Sequence, residues 1–137
     1  MIKYEALVLA IGKFNGCWDD PESHSFKLRN PLLLKTYRPE KKCDSDHYRI
    51  FSSVMGGFKA GIADMVAKCS GKNNRLSPEN TLKDLLSVYG FNHEVSTRKI
   101  VLFLRRALAD EEISLNTKIV YFQEPPVEEA ITDGNRS

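Results

Sequence analysis

The clearest fold signal in this sequence is residues 77–90, SPENTLKDLLSVYG. Ser77 is a residue type that accepts hydrogen bonds from first-turn N–H groups, and Pro78 suits the first helical position. Apolar side chains then recur at three- and four-residue steps at Leu82, Leu85, Leu86 and Tyr89. Gly90 follows them as a stop. The pattern predicts an amphipathic helix that begins beside Ser77 and ends before Gly90.

Three further segments carry the same helical spacing. Residues 95–109 follow closely on the first segment, so the two helices are expected to form a helical hairpin. Ser52 or Ser53 precedes a second helix that ends before Gly71 and carries three glycines, for which close packing against a neighbour is the expected reason. Residues 3–15 form the opening helix, although Ala6–Ile11 alone also fits a buried strand.

The remaining segments lack this periodicity. Leu32–Leu34 follows Pro31 as a short apolar run, and residues 118–122 form another, so both are expected to be extended. Beyond Pro126 the chain is acidic and polar. These features predict a mainly α fold, a compact helical domain with short extended segments over residues 1–122, and a flexible acidic tail at 123–137.

Composition excludes several classes of protein. With 137 residues the chain has room for one sizeable core, and its net charge of +2 is too even to require a nucleic-acid partner. Its longest apolar run, Ala6–Ile11, is far below the roughly 20 residues that span a bilayer. The start lacks the basic and small-residue features of a secretory signal, which favours cytoplasmic synthesis. The three widely spaced cysteines fit reduced thiols.

A succession of short motifs adds a functional lead. Ala10–Gly16 reads AIGKFNG, and Ser25–Pro31 reads SFKLRNP. Further on come Tyr48–Phe51, YRIF, and Gly57–Ala60, GFKA, and then TLKDLLSVY at residues 81–89. In order and spacing this series resembles phage lysozyme-like lytic transglycosylase domains. Those domains have a helix ending in Phe-Glu-Gly and a loop with an Arg-Asn-Asn-Pro-Gly-Asn-Leu-Arg pattern. The resemblance covers about residues 5–108 and implies a lysozyme-like helical fold.

The resemblance also implies a catalytic position. In that family a glutamic acid at the end of the first helix protonates the glycosidic oxygen, and Asn15 stands at that position here. A primary amide has no dissociable proton near neutral pH. Asp19 and Asp20, with Glu22, are the nearest carboxylates in sequence and would have to replace the acid, although solvated loop carboxylates are the ordinary interpretation. Leu32–Leu33 also replaces the family's Gly-Asn.

The ligand-binding residues that the resemblance implies are Trp18, Ser25, Arg29 and Asn30. Trp18 fits core packing as well as stacking on a sugar. The expected function is a peptidoglycan-related domain, associated with a phage, that is weakly active or inactive and binds a glycan or a host protein. If it is active, it is a glycosidase or lytic transglycosylase. No cofactor and no metal are expected.

Two other interpretations come from the residues themselves. Cys17, His24, Cys43 and His47 are zinc-ligand types, but their spacing is not compact and ordinary loop residues are the favoured explanation. A Cys–His nucleophilic pair could be drawn from the same residues, without any flanking signature. Arg98, Lys99, Arg105 and Arg106 on the second helix of the hairpin leave open a DNA-binding or host-inhibiting phage protein.

Overall fold

The computed structural model describes residues 3–70 and 76–123. Within these ranges the protein is mainly α-helical, which confirms the predicted fold class. The helices are α1 (Lys3–Phe14), α2 (His24–Leu28), α3 (Val54–Cys69), α4 (Leu82–Val88), α5 (Glu94–Leu108) and α6 (Val120–Gln123). Strand pairing in the described ranges is limited to three isolated antiparallel bridges. No helix of the described residues is long and apolar enough to cross a membrane.

The chain divides into two compact units. The first unit is Val8–Val66, and the second unit combines Met1–Leu7 with Ala67–Ser137. The first unit holds most of α1, all of α2 and most of α3, and it contains every site residue that the lysozyme-like resemblance implies. The second unit holds α4, α5 and α6.

In the first unit, α3 lies against the loop that follows α2. The position of Gly57 leaves no room for a Cβ atom, because such an atom would overlap the carbonyl oxygen of Arg29. A Cβ on Gly61 would lie 3.2 Å from the Leu32 side chain. Ser53 caps the helix, since its Oγ accepts from the N–H of Gly56 at 3.0 Å. The glycines of α3 therefore allow the close packing that the sequence predicts.

Between α2 and α3 the chain folds back on itself as three short extended stretches, and residues 47–50 pair with both residues 34–36 and residues 42–44. Lys35 bridges to Tyr48 and Cys43 bridges to Arg49, both antiparallel. Short backbone hydrogen bonds support the pairing, with Thr36 N–H to His47 O and Arg49 N–H to Leu34 O both at 2.8 Å. The predicted extended run Leu32–Leu34 is wrong in part, because Leu32 lies in a turn and Leu33 has φ 54°. Only Leu34, which is buried, joins the paired stretches.

In the second unit the helix start near Ser77 differs from the prediction. Helix α4 begins at Leu82, and its N-cap is Thr81 instead of Ser77. Thr81 and Asp84 cap each other reciprocally, which satisfies two N–H groups at once. Ser77 and Asn80 form a turn before the helix, where the Asn80 side chain accepts from the Ser77 N–H at 2.8 Å. The reciprocal Thr81–Asp84 bonds therefore determine where the helix begins.

Helix α5 buries Thr97, Ile100, Val101 and Leu104 along one face. It follows α4 after a short turn, and the residues after α5 return to α4, since the N–H of Leu82 donates to Thr117 O at 2.7 Å. The predicted extended segment at 118–122 is wrong in part. Lys118 forms a bridge with Thr81, but α6 begins at Val120. The predicted tail at 123–137 lies outside the described residues except for Gln123, the last residue of α6.

Two helix ends in the second unit allow a paired stability test. Ala109 has φ 50° and Gly90 has φ 89°, so both adopt the left-handed conformation that favours glycine. We expect Ala109→Gly to raise the free energy of unfolding by about 0.5–1 kcal/mol, and Gly90→Ala to lower it by about 1 kcal/mol. A Cβ at Gly90 meets no atom within 4 Å, so sterics with neighbours would not contribute. Urea unfolding measures both, and changes of the same sign would contradict the assigned backbone conformations.

Candidate functional site

Asn15 lies at the end of α1, where the motif comparison expects the catalytic acid. Its N–H continues the helix by donating to Ile11 O at 3.0 Å. Its side chain is half-buried, and Nδ2 donates to the carbonyl oxygen of Pro31 at 2.9 Å. Gly16 then turns the chain with φ 80°, where a Cβ would crowd Ser23. The amide of Asn15 thus joins the end of α1 to the loop after α2.

The nearby carboxylates of Asp19 and Asp20 make local contacts at the surface. Asp19 forms an ion pair with Lys13 at 3.0 Å, and both side chains are more than half exposed. Asp20 is exposed, and its Oδ1 accepts from the N–H of Glu22 at 3.0 Å, which closes a local turn. A general acid in glycoside cleavage needs partial burial beside the scissile bond. Neither aspartate has that setting.

Trp18 is packed against α1. Its Nε1–H donates to Leu9 O at 2.9 Å, and its ring meets the edge of Phe58 at a centroid distance of 6.3 Å. A Cβ on Gly12 would lie 2.5 Å from the indole ring, so glycine is what lets the ring lie on the helix. The structure therefore places Trp18 in the packing role, with its polar atom already bonded.

Ser25 and Asn30 are buried and bonded to backbone groups. Ser25 Oγ–H donates to Asn30 O at 2.7 Å. The Asn30 side chain makes three bonds: Nδ2 donates to Leu34 O and to Arg49 O, each at 3.0 Å, and Oδ1 accepts from Leu34 N–H at 2.9 Å. Asn30 is 0% exposed. Both side chains therefore stabilise the loop from within.

Arg29 is the outward-facing residue of this loop. It ends α2 in the left-handed conformation with φ 54°, and its Nη1–H lies 3.5 Å from Phe51 O. Its side chain lines a shallow depression together with Phe26, Lys27 and Val54. Phe26 and Val54 are 38% and 44% exposed. Of the four ligand-binding candidates, Arg29 alone is exposed.

The zinc-ligand types are divided between different environments. Cys17 is buried with its thiol 3.7 Å from Ser25 O, and burial raises the pKa of that thiol. His24 Nε2 lies 2.8 Å from Asp44 Oδ2. Among the residues that the structure describes, no three histidine, cysteine, aspartate or glutamate side chains are grouped so that they could hold a metal ion.

The His24–Asp44 pair is a cluster that the sequence does not indicate. Desolvation acts to raise the pKa of the Asp44 carboxyl, but the N–H groups of Tyr48 and Asp46 and the His24 ring lower it below its ordinary value. The His24 ring also meets Tyr48 edge-on at 5.3 Å. The partners lie about twenty residues apart, so only the pairing of the extended segments brings them together. In the sequence, only the turn-forming stretch Asp44-Ser45-Asp46 marks the position of this carboxylate.

Two of the four basic residues of α5, in the second unit, bond to neighbouring groups. Arg98 pairs with Glu94 at 3.3 Å, and Arg105 Nε–H donates to Ile113 O at 2.7 Å. Lys99 and Arg106 are exposed. Two of the four cations of the possible DNA-binding helix therefore have local partners.

Comparison with protein-family models, with curated proteins and with solved structures found no match to this chain.

The buried amide of Asn30 gives a direct stability test. Asn30→Ala would leave Leu34 N–H, Leu34 O and Arg49 O without that partner, so we expect a loss of about 3 kcal/mol in the free energy of unfolding. Asn116→Ala is the matched control, because Asn116 is exposed and a change within about 0.5 kcal/mol is expected there. Urea unfolding followed by circular dichroism measures both. Equal effects would show that the Asn30 network contributes little.

Proposed function

We propose that this chain is a lysozyme-like domain that binds a peptidoglycan-type glycan and has little or no ability to cleave it. The observation that carries the proposal is the convergence of three motif stretches in the first unit. Asn15, from the stretch FNG, donates to Pro31, from the stretch RNP. Gly57, from the stretch GFKA, packs against the carbonyl of Arg29. Stretches that are separate in sequence thus meet as parts of one site would.

The backbone at Leu33 supports the same alignment. Leu33 has φ 54°, a left-handed conformation that leucine rarely adopts and that asparagine tolerates far better. The family pattern has asparagine at this point of the loop. A left-handed residue at position 33 is therefore compatible with the asparagine of the family pattern, although leucine stands there.

The same geometry supports weak or absent cleavage. The family's acid is replaced by an amide whose Nδ2 is bonded to Pro31 O, and Asp19 and Asp20 are exposed and bonded elsewhere. Without a proton donor the leaving oxygen of a glycosidic bond must depart as an alkoxide, which loses about 10²–10⁴-fold in rate. Recognition of a glycan, or of a host protein, is the function that the remaining site supports.

The first experiment tests binding. We expect the full chain to co-sediment with purified insoluble peptidoglycan. A folded protein that stays in the supernatant would contradict the glycan proposal and favour a protein partner. Turbidity of the same suspension reports cleavage, and no clearing is expected from the unmodified chain.

The second experiment tests the aligned position of the acid. Asn15→Glu restores a carboxylic acid at the end of α1, and Asn15→Gln is the matched control, because it has the same length and no dissociable proton. We expect Asn15→Glu to clear the suspension about 100-fold faster than Asn15→Gln. Circular dichroism establishes that both variants are folded. Equal clearing rates from the two folded variants would contradict the assignment of Asn15 to the family's catalytic position.

A further inference from the structure

The paired extended segments of the first unit carry an exposed pair of aromatic rings. Tyr37 and His47 face each other with ring centroids 4.5 Å apart and an angle of 35° between the rings. Tyr37 remains 74% exposed despite this contact, so part of its ring surface is open to solvent. A large aromatic side chain held in this way is available to stack on a flat ring of a ligand.

The backbone fixes the position of this pair. His47 has φ 69°, and its carbonyl accepts from Thr36 N–H at 2.8 Å while its own N–H donates to Asp44 O at 3.1 Å. Thr36, directly before Tyr37, is buried. The backbone on which the two rings stand is therefore held by hydrogen bonds of Thr36 and His47. A second tyrosine of the same region, Tyr48, contacts the His24 ring and has the Lys35 Nζ 4.8 Å from its centroid.

Positive charge surrounds Tyr37 in the sequence. Residues 35–42 contain four basic side chains, Lys35, Arg38, Lys41 and Lys42, against one acidic side chain, Glu40. Arg38, Lys41 and Lys42 are exposed, and within the part of the chain that the structure describes no carboxylate forms an ion pair with them. Asp44 is already bonded to His24 and to backbone N–H groups, although Asp46 is exposed nearby in sequence.

We infer that Tyr37 and His47, with Arg38, Lys41 and Lys42, form a binding site for single-stranded nucleic acid. A base stacks on the open surface of Tyr37, and the cations contact the phosphates on either side. Sequence-independent binders of single strands combine these two features, because every base has a π face and every linkage a negative charge. A neutral glycan would use the aromatic surface and leave three cations unpaired, so charge favours the polyanion. This site is independent of the proposed glycan function.

Fluorescence anisotropy of the full chain with a labelled oligothymidylate of about twelve nucleotides tests the site. We expect Tyr37→Ala to weaken binding about tenfold, and Tyr37→Trp, which keeps a stacking surface, to retain it. Because Tyr37 is largely exposed, circular dichroism should show both variants folded. Unchanged affinity in folded Tyr37→Ala would overturn the inference.

Salt dependence tests the charged part of the site. The double variant Lys41→Gln/Lys42→Gln should reduce the slope of log affinity against log salt by about 1.4, since each phosphate contact contributes about 0.7 for a single strand. Lys59→Gln/Lys83→Gln is the matched control, with the same residue types and the same change in net charge at exposed positions. Equal weakening by the two pairs would overturn the inference in favour of general charge.

Two further outcomes would also overturn it. Duplex DNA of the same length binding as tightly as the single strand would show that stacking on an unpaired base is not used. Loss of peptidoglycan co-sedimentation by Tyr37→Ala with unchanged oligonucleotide affinity would assign the aromatic pair to a glycan. Failure of the unmodified chain to co-sediment with peptidoglycan would instead bear on the proposed function alone, because the oligonucleotide assay does not involve the glycan.

Discussion

The buried amide of Asn30 is the interaction on which the first unit depends. Its side chain bonds Leu34 and Arg49, which lie on two neighbouring extended stretches, so it ties both to the end of α2. A buried backbone carbonyl without a partner costs more than a typical hydrogen bond contributes, and here one side chain serves three backbone groups. The position of the loop then presents Pro31 O to Asn15 and Arg29 O to the glycine face of α3.

That arrangement gives structural partners to the polar residues Asn15, Ser25 and Asn30. Ser25 and Asn30 are buried and bonded to backbone groups, and the Asn15 side chain donates to Pro31 of the same loop from the end of α1. Ser25 Oγ–H, the Asn30 amide and Asn15 Nδ2 are thus already bonded within the loop. A carboxylate at position 15 would lose the Nδ2–H bond to Pro31 and would bring two oxygens near a carbonyl oxygen. The asparagine is thus compatible with the loop as it stands.

The sequence predicts α1, α3, α4 and α5 because helical periodicity is a local property, whereas α2 and α6 are too short to show it. The apolar positions of α4 and α5, and the close packing at Gly57 and Gly61 of α3, follow from patterns that can be read in one stretch of chain. In α3 the spacing is a weaker guide, because Met55 and Val66 are exposed. Helix starts are less certain, because Ser77 and Thr81 are both acceptable caps and only the reciprocal bonds of Thr81 with Asp84 decide between them. The sequence does not show which distant residues meet. The bond between Asn30 and Arg49 and the pair of His24 with Asp44 form only when the chain is folded.

The two proposed ligands differ in what they require from the same unit. The loop at residues 29–34 is built from buried bonds and offers few outward polar groups, whereas residues 35–47 offer an exposed ring and cations. Asn30 links the two regions, because Leu34 and Arg49 begin and end the paired segments that present Tyr37 and His47. Loosening that amide would therefore disturb the exposed aromatic pair without touching it. The inward-bonded loop at residues 29–34 and the outward-facing charged segment at residues 35–47 therefore occupy different parts of one small unit, and a ligand at one need not break the bonds of the other.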